Sequence, residues 1–355
     1  MYQTLKQKQK RHLIKGLSEG IEPVSVRWKN DDKPAIIQYN DGGESQGSCI
    51  RCYNPPCIQY SESELEVKVF KEFPADLNIS VCPTTAIKWP IDSESPEIDQ
   101  NLCISCGLCV SRCPVRAIYL DKNGAHINNV PNSYLKTKKS IDINQLDKII
   151  ELFSKAKEYG IYQNENEKLL CDFWNRFIDI SKEQSVQFPN HLARNLLIAT
   201  GIGAAMRRVG DTNIRMDMVL GPPGVNIGTA EVEFGIDVLD APRTILDNIA
   251  VLSRRYNITK EKIVPLIVCS SLPNNRSEYW RVIKDIRDVL NIKISSITIG
   301  ILVIILWNRA KININKGDEL YIDTEKPSLR QKIIKILGRK ININTGYPGF
   351  LESEK

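Results

Sequence analysis

The chain of 355 residues lacks the features that would place it in a membrane or outside the cell. Its most apolar stretch, residues 294–307, has 14 residues, whereas a membrane-crossing helix needs about 20. We therefore expect a buried strand there and no membrane contact. The first 16 residues are basic but contain no apolar core, so no export signal is predicted and a cytoplasmic location is expected.

Short motifs that mark several enzyme classes are also missing. The sequence contains no glycine-rich Walker loop and no HExxH run, which argues against a P-loop ATPase and a zincin protease. It contains no flavin or nicotinamide fingerprint either. If the activity requires ATP, we expect another subunit, such as an ATPase or helicase, to bring it.

Positive charge is concentrated in two short blocks, although the formal net charge is only +6. Residues 1–16 carry five Lys or Arg and no acid, and residues 326–340 carry six and no acid. Such blocks can contact phosphate groups, but a short basic run is more often a solvated surface. Both interpretations stay open from the sequence.

Cysteine is abundant and unevenly distributed. Eight of the ten cysteines form two runs, namely Cys49, Cys52, Cys57 and Cys82, and Cys103, Cys106, Cys109 and Cys113. Thiolates bind iron well, and this number and spacing fit two [4Fe-4S] clusters. Zinc sites or disulfides are the alternative, but zinc sites seldom have the x2-x2-x3-Cys-Pro run, and a disulfide framework would need a secretory signal.

The second run has the full spacing of bacterial ferredoxins, and residues 82–87 (CPTTAI) and 113–118 (CPVRAI) are internal copies. On these motifs, residues 44–122 resemble the dicluster ferredoxin family, although about two dozen residues separate Cys57 from Cys82. The resemblance implies that the fourth cysteine of each run binds the other cluster. One cluster would then be held by Cys49, Cys52, Cys57 and Cys113, and the other by Cys103, Cys106, Cys109 and Cys82.

The remaining sequence predicts a multidomain protein of the α+β and α/β classes. Residues 1–43 form a basic segment with a short hairpin, and residues 123–189 form a polar connector and amphipathic helices over 144–159 and 167–180. Residues 190–308 show helix and strand patterns in the order αββαβαβ, which favours a mixed sheet flanked by helices. Its helices are predicted over 191–209, 242–256 and 278–290, and its strands over 213–220, 228–235, 263–270 and 294–307. Residues 309–355 are a basic C-terminal extension.

Three acidic residues lie where core strands should be apolar. Asp217 falls in one predicted strand, and Glu231 and Glu233 fall in the next. Residues two apart in a strand project to the same face, and a hairpin through residues 222–224 would bring Asp217 beside both glutamates. Clustered carboxylates repel one another unless they share a cation, and their hard oxygens suit Mg²⁺ or Mn²⁺. The alternative is that all three are solvent-facing residues of an edge hairpin.

On this element order and acid spacing, residues 190–308 resemble the PD-(D/E)xK nuclease superfamily. The resemblance implies that Asp217 and Glu231 hold the metal, and that Glu233 stands where the family usually has lysine, as in the E-x-E form of some restriction endonucleases. The three acids would be the catalytic residues, with Glu233 orienting or deprotonating a metal-bound water. Three arginines are near enough in sequence to contact a nucleic-acid backbone, namely Arg207, Arg208 and Arg215.

The leading hypothesis is therefore an iron-sulfur, metal-dependent nuclease or nuclease-like subunit of a restriction or anti-phage system, with DNA as the expected substrate. A homodimer is expected from the superfamily alone, because each subunit would cut one strand. The clusters could be structural, regulatory or redox-active. The alternatives are an electron-transfer protein that docks to a reductase and a nucleic-acid binder whose site is inactive.

Overall fold

The structure, a computed structural model, describes residues 49, 55–67, 70, 76, 78–90, 93, 96–113, 117–121, 123–127, 166–207, 215–221, 227–308, 310–314, 320–341 and 349–353. In this part of the chain, the residues divide into two compact units. Unit 1 falls within residues 1–61, 79–183 and 307–309, and unit 2 within residues 62–78, 184–306 and 310–355. The predicted hairpin near the N-terminus, the helix over 144–159 and the turn over 222–224 lie outside the described residues.

Eight α-helices are described, and most follow apolar residues at helical spacing. They are α1 (Glu62–Leu65), α2 (Leu108–Arg112), α3 (Asn166–Ser181), α4 (Phe188–Ala199), α5 (Ala241–Arg255), α6 (Glu278–Leu290), α7 (Ile299–Trp307) and α8 (Arg330–Leu337). Helix α6 has the bounds that the sequence predicts, because its buried face repeats at helical spacing through Tyr279, Ile283 and Ile286. It stops at Asn291, which adopts a left-handed conformation with φ 56°.

Nine strands are described, and they form three sheets. They are β1 (Ile87–Lys88), β2 (Glu97–Ile98), β3 (Ile118–Asp121), β4 (Gly124–Ile127), β5 (Gly203–Met206), β6 (Met218–Gly221), β7 (Ile227–Glu233), β8 (Ile263–Cys269) and β9 (Ser295–Thr298). In unit 1, β1 pairs with β2 and β3 pairs with β4, both antiparallel. In unit 2, the other five strands form one mixed sheet in the order β5-β6-β7-β8-β9, so the prediction of a mixed sheet is confirmed.

The pairing of β6 with β7 sets the position of the acidic residues. Strands β5, β6 and β7 are antiparallel neighbours, whereas β7, β8 and β9 are parallel and are joined through α5 and α6. Met218 in β6 pairs with Ala230 in β7. One further step along this register puts Asp217 opposite Glu231, and directly opposed residues share a face of the sheet. Glu233, two residues along β7, has the same facing as Glu231.

The predicted helix over residues 191–209 is wrong in its second half. Helix α4 ends at Ala199, and residues 203–206 form β5 instead. Gly201 adopts φ +96°, and the N–H groups of Gly201 and Ile202 bond back to Ile198 (3.1 Å) and Leu197 (2.9 Å). This pair of bonds is a Schellman motif, which ends a helix at a left-handed glycine. The observed order in this region is therefore αβββαβαβα.

The prediction of a strand over residues 294–307 is also wrong for residues 299–307, which form α7. Strand β9 ends at Thr298, whose Oγ1 accepts the N–H of Ile301 at 3.3 Å and so caps α7. Helix α7 is buried along its whole length, and a helix with no polar face shows no period that would separate it from a strand. In the described ranges, no helix has both the length and the hydropathy to cross a bilayer.

Candidate functional sites

The first candidate site is formed by cysteines in unit 1. Seven of the eight clustered cysteines are described, and Cys52 lies outside the described residues. The second run passes into α2 through Gly107, which has φ 81°. The indole Nε1 of Trp307 donates to the carbonyl of Cys106 at 3.0 Å, and a Cβ at Gly107 would lie 2.7 Å from that nitrogen. Both the conformation and the close approach therefore require glycine at position 107.

The thiols influence one another in two groups. Burial raises the pKa of Cys57 well above its ordinary value, and the neighbouring thiols of Cys113 and Cys49 raise it further. Burial also raises the pKa of Cys106, with Cys82 the next contribution and Cys103 a smaller one. Cys113 thus lies near Cys57 of the first run, and Cys82 lies near cysteines of the second run.

Cys109 joins the second group, because burial and then the thiols of Cys106, Cys103 and Cys82 raise its pKa. Its pKa also responds to Cys57, so the two groups lie within electrostatic reach of each other. Buried like-charged thiolates are costly unless a cation compensates them, and an iron cluster supplies that charge. The donor set is therefore chemically suited to iron-sulfur clusters.

The two Cys-Pro segments have matching local hydrogen bonds. The N–H of Ala86 donates to Sγ of Cys82 at 3.2 Å, and the N–H of Ala117 donates to Sγ of Cys113 at 3.2 Å. Each bond spans four residues and fixes the direction of its sulfur. N–H groups aimed at the sulfurs of an iron-sulfur cluster stabilise its negative charge and tune its reduction potential.

Among the described residues, Arg112 lies beside the first cysteine run and Arg176 beside the second. Arg112, which is 5% exposed, donates from Nε to the carbonyl of Pro56 at 2.6 Å and lies 4.1 Å from the ring centroid of Tyr60. Its positive charge lowers the pKa of Cys57, against the larger effect of burial. Arg176 on α3 donates to the carbonyls of Gln100 (2.9 Å) and Cys103 (3.2 Å), so it braces the second run. Sequence reasoning missed both arginines.

The second candidate site is the acidic group of unit 2. Asp217 Oδ2 accepts the backbone N–H of Val232 at 3.1 Å, and Asp217 Oδ1 accepts the amide of Asn190 at 3.2 Å. Glu231, which is 6% exposed, accepts the amide of Asn248 on Oε2 at 2.9 Å. Each carboxylate oxygen has two lone pairs, so these bonds leave further acceptor capacity for a cation.

The carboxyl groups are coupled. Burial, followed by the charge of Asp217, raises the pKa of Glu231 to about 8. Burial also raises the pKa of Asp217, although the Val232 N–H, Arg207 and Asn190 all oppose that rise. Burial, then Asp217 and Asp237, raises the pKa of Glu233. The Asn248 amide and Arg207 lower the pKa of Glu231, but by less than burial and Asp217 raise it, so Glu231 keeps its proton up to about pH 8.

In the described ranges, no group of three or more His, Cys, Asp or Glu side chains is spaced to hold a single metal ion. For the thiols this is compatible with clusters, because a cubane holds its four ligands farther apart than one ion does. For the acidic group, Asp217 and Glu231 remain a pair of candidate ligands. Mg²⁺ is commonly bound by one or two carboxylates with water completing its shell.

The predicted basic residues are described in part. Arg207 lies next to β5 and influences both Asp217 and Glu231 electrostatically, whereas Arg215 is exposed and Arg208 lies outside the described residues. Sequence reasoning missed Asn190 on α4 and Asn248 on α5. Asn248 is 3% exposed, and a buried polar residue on the apolar face of an amphipathic helix was the available signal for it.

Comparison with known proteins identifies the cysteine region. Residues 96–119 match the family model of the 4Fe-4S binding domain. A ferredoxin of Pyrobaculum islandicum is 63% identical over 27 residues, which are 8% of this chain and 25% of that protein. An uncharacterized ferredoxin of Methanocaldococcus jannaschii is 31% identical over 78 residues, which are 22% of this chain and 36% of that protein.

The chain thus matches these two relatives over only about a quarter and about a third of their lengths. No solved structure matches the chain. The family match covers β2, the second cysteine run and the start of β3. A 4Fe-4S ferredoxin-type domain is therefore present in this chain.

Proposed function

We propose that this protein holds two [4Fe-4S] clusters in its ferredoxin-type domain and uses the acidic group of unit 2 for Mg²⁺- or Mn²⁺-dependent hydrolysis of DNA. The observation that carries the hydrolytic part is the electrostatic coupling of Asp217, Glu231 and Glu233 on neighbouring strands of a mixed sheet. A buried acidic group with raised pKa values is typical of catalytic and metal sites.

In the proposed site, Asp217 and Glu231 bind the divalent ion. Asn190 and Asn248 orient these two carboxylates, since each amide donates to one carboxylate oxygen. A divalent cation would also displace the proton that Glu231 otherwise keeps up to about pH 8. When bound, the ion supplies Lewis-acid polarisation of a phosphate oxygen and a lower pKa for a water ligand.

Glu233 is the proposed general base. It is less buried than Glu231, and its raised pKa brings it nearer to the pH range in which a carboxylate can accept a proton during reaction. Arg207, whose charge acts on Asp217, and the exposed Arg215 would attract the phosphate backbone. We include Arg208 in this set on sequence alone.

The wider setting belongs to the same proposal. The superfamily resemblance supports a role in restriction or anti-phage defence and a homodimer in which each subunit cuts one strand. An ATPase or helicase subunit would be the partner if the reaction requires ATP. The clusters would be structural, regulatory or redox-active within this assembly.

The test is a cleavage assay on protein purified anaerobically with its clusters. Double- and single-stranded DNA would be incubated with Mg²⁺ or Mn²⁺ and with the parent, Asp217→Ala, Glu231→Ala and the exposed control Asp247→Ala on α5. We expect the parent and the control to cleave DNA and the two site variants to lose at least about a hundredfold in rate. Cleavage that survives both site substitutions would refute the assignment.

Electron transfer is the second candidate function, and the match to the 4Fe-4S binding domain and to proteins named ferredoxin favours it. In this case unit 2 would dock the protein to a reductase. A parent protein that cleaves no DNA while its clusters undergo reversible one-electron reduction would favour electron transfer. DNA binding without cleavage, unaffected by Asp217→Ala, would favour an inactive nucleic-acid binder.

A further inference from the structure

The segment between Cys57 and Cys82 belongs to a different unit from the cysteines that flank it. Residues 62–78, here called the insert, are part of unit 2, whereas the chain before Glu62 and after Asn78 is part of unit 1. The chain therefore passes from unit 1 into unit 2 and back between two cluster ligands. The insert is therefore a part of unit 2 that both of its ends connect to unit 1.

A short antiparallel pair closes the base of the insert within unit 1. Gln59 and Ser80 form a β-bridge. The N–H of Tyr60 donates to the carbonyl of Ile79 at 2.7 Å, and the N–H of Val81 donates to the carbonyl of Ile58 at 2.8 Å. We call this pair, residues 58–60 and 79–81, the neck. Cys57 and Cys82 are the residues immediately outside it.

The insert contributes two side chains to the hydrophobic core of unit 2. Val67 and Phe70, 3% and 1% exposed, pack in one cluster with Met216 and Val219. Val67 lies so close to β6 that a Cβ at Gly221 would be 2.5 Å from its Cγ1. Loops seldom bury such residues, so the sheet lacks part of its core without the insert.

Phe70 also makes an edge-to-face contact with Tyr256, at the end of α5, with the ring centroids 4.8 Å apart. This geometry adds to the burial of the ring. The same core cluster includes Ile249 and Leu252 of α5. The insert thus packs against both the strand that follows Asp217 and the helix that carries Asn248.

Polar contacts tie the end of the insert to α4. Asp76 Oδ2 lies 2.9 Å from Nε2 of His191 and 4.0 Å from Nη1 of the buried Arg194. The amide of Asn78 lies 3.3 Å from the His191 ring. His191 directly follows Asn190, the residue that donates to Asp217. The insert therefore contacts α4, which carries Asn190, and the end of α5, which carries Asn248.

We propose that the insert makes the packing of β6 and α4 depend on iron bound by the flanking cysteines. Fixing Cys57 and Cys82 restrains both arms of the neck, which lowers the entropy cost of ordering the insert between them. Without iron, the neck is restrained by its own hydrogen bonds. The contacts of Val67, Phe70 and Asp76 with unit 2 then open more often. Loss of the clusters then loosens the acidic group. The inference rests on the iron-sulfur part of the proposed function and not on hydrolysis.

Hydrogen exchange read by mass spectrometry tests this inference on the full chain. Protein with its clusters would be compared with the same protein after anaerobic removal of iron by a chelator, with iron content measured in both samples. We expect amides of α4 and β6 to exchange about tenfold faster or more after iron removal. Amides of α6 and β9, which have no described contact with the insert, should change less.

A variant in which the insert is no longer restrained by the neck tests whether the effect of iron is transmitted through the insert. Flexible glycine-serine linkers placed after Ser61 and after Asn78 leave every cysteine and every insert side chain present but free the insert from the neck. This variant should bind the same amount of iron, and exchange in α4 and β6 should no longer respond to iron removal. A response equal to that of the parent would overturn the proposal.

A core variant gives a second readout that needs no iron removal. Phe70→Leu should speed exchange in β6 and α5 while iron content stays unchanged, and Val186→Ala, at a position 90% exposed, should change neither. Unchanged exchange in α4 and β6 after full loss of iron would contradict the proposal, and so would an equal change in α6 and β9. A chain that binds no iron would instead remove the iron-sulfur part of the proposed function and this inference with it.

Discussion

The cysteine group of unit 1 and the acidic group of unit 2 both hold several ionisable side chains close together and away from water, but the two groups are built differently. Both gather buried acidic groups, and burial is the first cause of the raised pKa in Cys57 and in Glu231. The thiols come from two cysteine runs, the first of which is interrupted between Cys57 and Cys82. The carboxylates come from two strands, and each of Asp217 and Glu231 has an amide donor on a separate helix.

The cysteine group depends mainly on local ligand spacing, whereas the acidic group depends on the fold. A cluster site is largely specified by local spacing, because a short loop can place three thiolates around one cubane. A carboxylate pair depends on strand register and on helices that supply hydrogen-bond donors. Changes in unit 1 should therefore act ligand by ligand, whereas changes in unit 2 should act through charge and packing.

The largest expected effect is the loss of iron in paired cysteine variants. Cys49→Ala with Cys113→Ala should remove about half of the bound iron, because both residues are assigned to one cluster. Cys103→Ala with Cys113→Ala should remove nearly all of it, because these residues are assigned to different clusters. Iron and sulfide analysis of protein purified anaerobically measures both. The opposite ranking of the two double variants would show that each run holds its own cluster.

The next effect is the pH dependence that Glu231 gives to the stability of unit 2. Its pKa rises to about 8 in the folded state, so between its ordinary value and about pH 8 the folded state holds a proton that the unfolded state has released. Stability should fall across this window by about 1.4 kcal/mol or less for each pH unit. Glu231→Gln should remove this fall.

Urea unfolding from pH 5 to pH 9 measures this difference on protein that keeps its clusters but has no added Mg²⁺ or Mn²⁺. The exposed Asp247→Asn is the control. The Glu231→Gln variant should gain on the parent as the pH rises, and the control should follow the parent. Parallel curves for the parent and Glu231→Gln would mean that this carboxyl group is not held protonated by burial and by Asp217.

A smaller effect is expected from the amide that supports Glu231. Asn248→Leu removes the donor 2.9 Å from Oε2, which should cost about 1–3 kcal/mol. The loss should be greater at pH 9 than at pH 5, because the hydrogen bond is stronger to the ionised carboxylate. The same unfolding series measures it. An equal loss at both pH values would indicate that Asn248 only fills space.

The smallest effect is a shift in the reduction potentials of the clusters. Arg112→Gln removes a buried cation beside Cys57, and Arg176→Gln removes a cation from the loop of the second run. Each change should make reduction harder and move one midpoint potential to a more negative value. The shift should be larger for Arg112, because solvent screens a buried charge less.

Anaerobic redox titration followed by electron paramagnetic resonance measures both midpoints. The conservative variant Arg112→Lys should keep most of the parent potential, since it retains the charge. A shift of the same size in Arg112→Lys and Arg112→Gln would point to disturbed packing against Tyr60 instead of charge.

The sequence was informative where function depends on local spacing. The cysteine spacing predicts a ferredoxin-type region, and the match over residues 96–119 confirms it. Helix α6 and the mixed sheet also follow from periodicity and element order. Strand β5 was missed, because an apolar stretch after Gly201 continues the pattern of α4 and only the left-handed glycine separates them.

The sequence was less informative where function depends on long-range packing. Helix α7 has no polar face, so its period could not be read. Asn190 and Asn248 have no local motif that links them to Asp217 and Glu231. The length between Cys57 and Cys82 reveals an insertion, but only the structure shows that Val67 and Phe70 enter the core of unit 2.

The most direct measurement for the proposed hydrolytic site is the binding of Mn²⁺, followed by electron paramagnetic resonance on the protein with its clusters present and oxidised. We expect the parent to bind Mn²⁺, with affinity that rises toward pH 8 as the Glu231 proton is displaced, and we expect Asp217→Ala and Glu231→Gln to abolish this binding. The exposed Asp247→Asn should bind as the parent does. Mn²⁺ binding that is absent in the parent, or unchanged in both site variants, would contradict a metal site formed by Asp217 and Glu231.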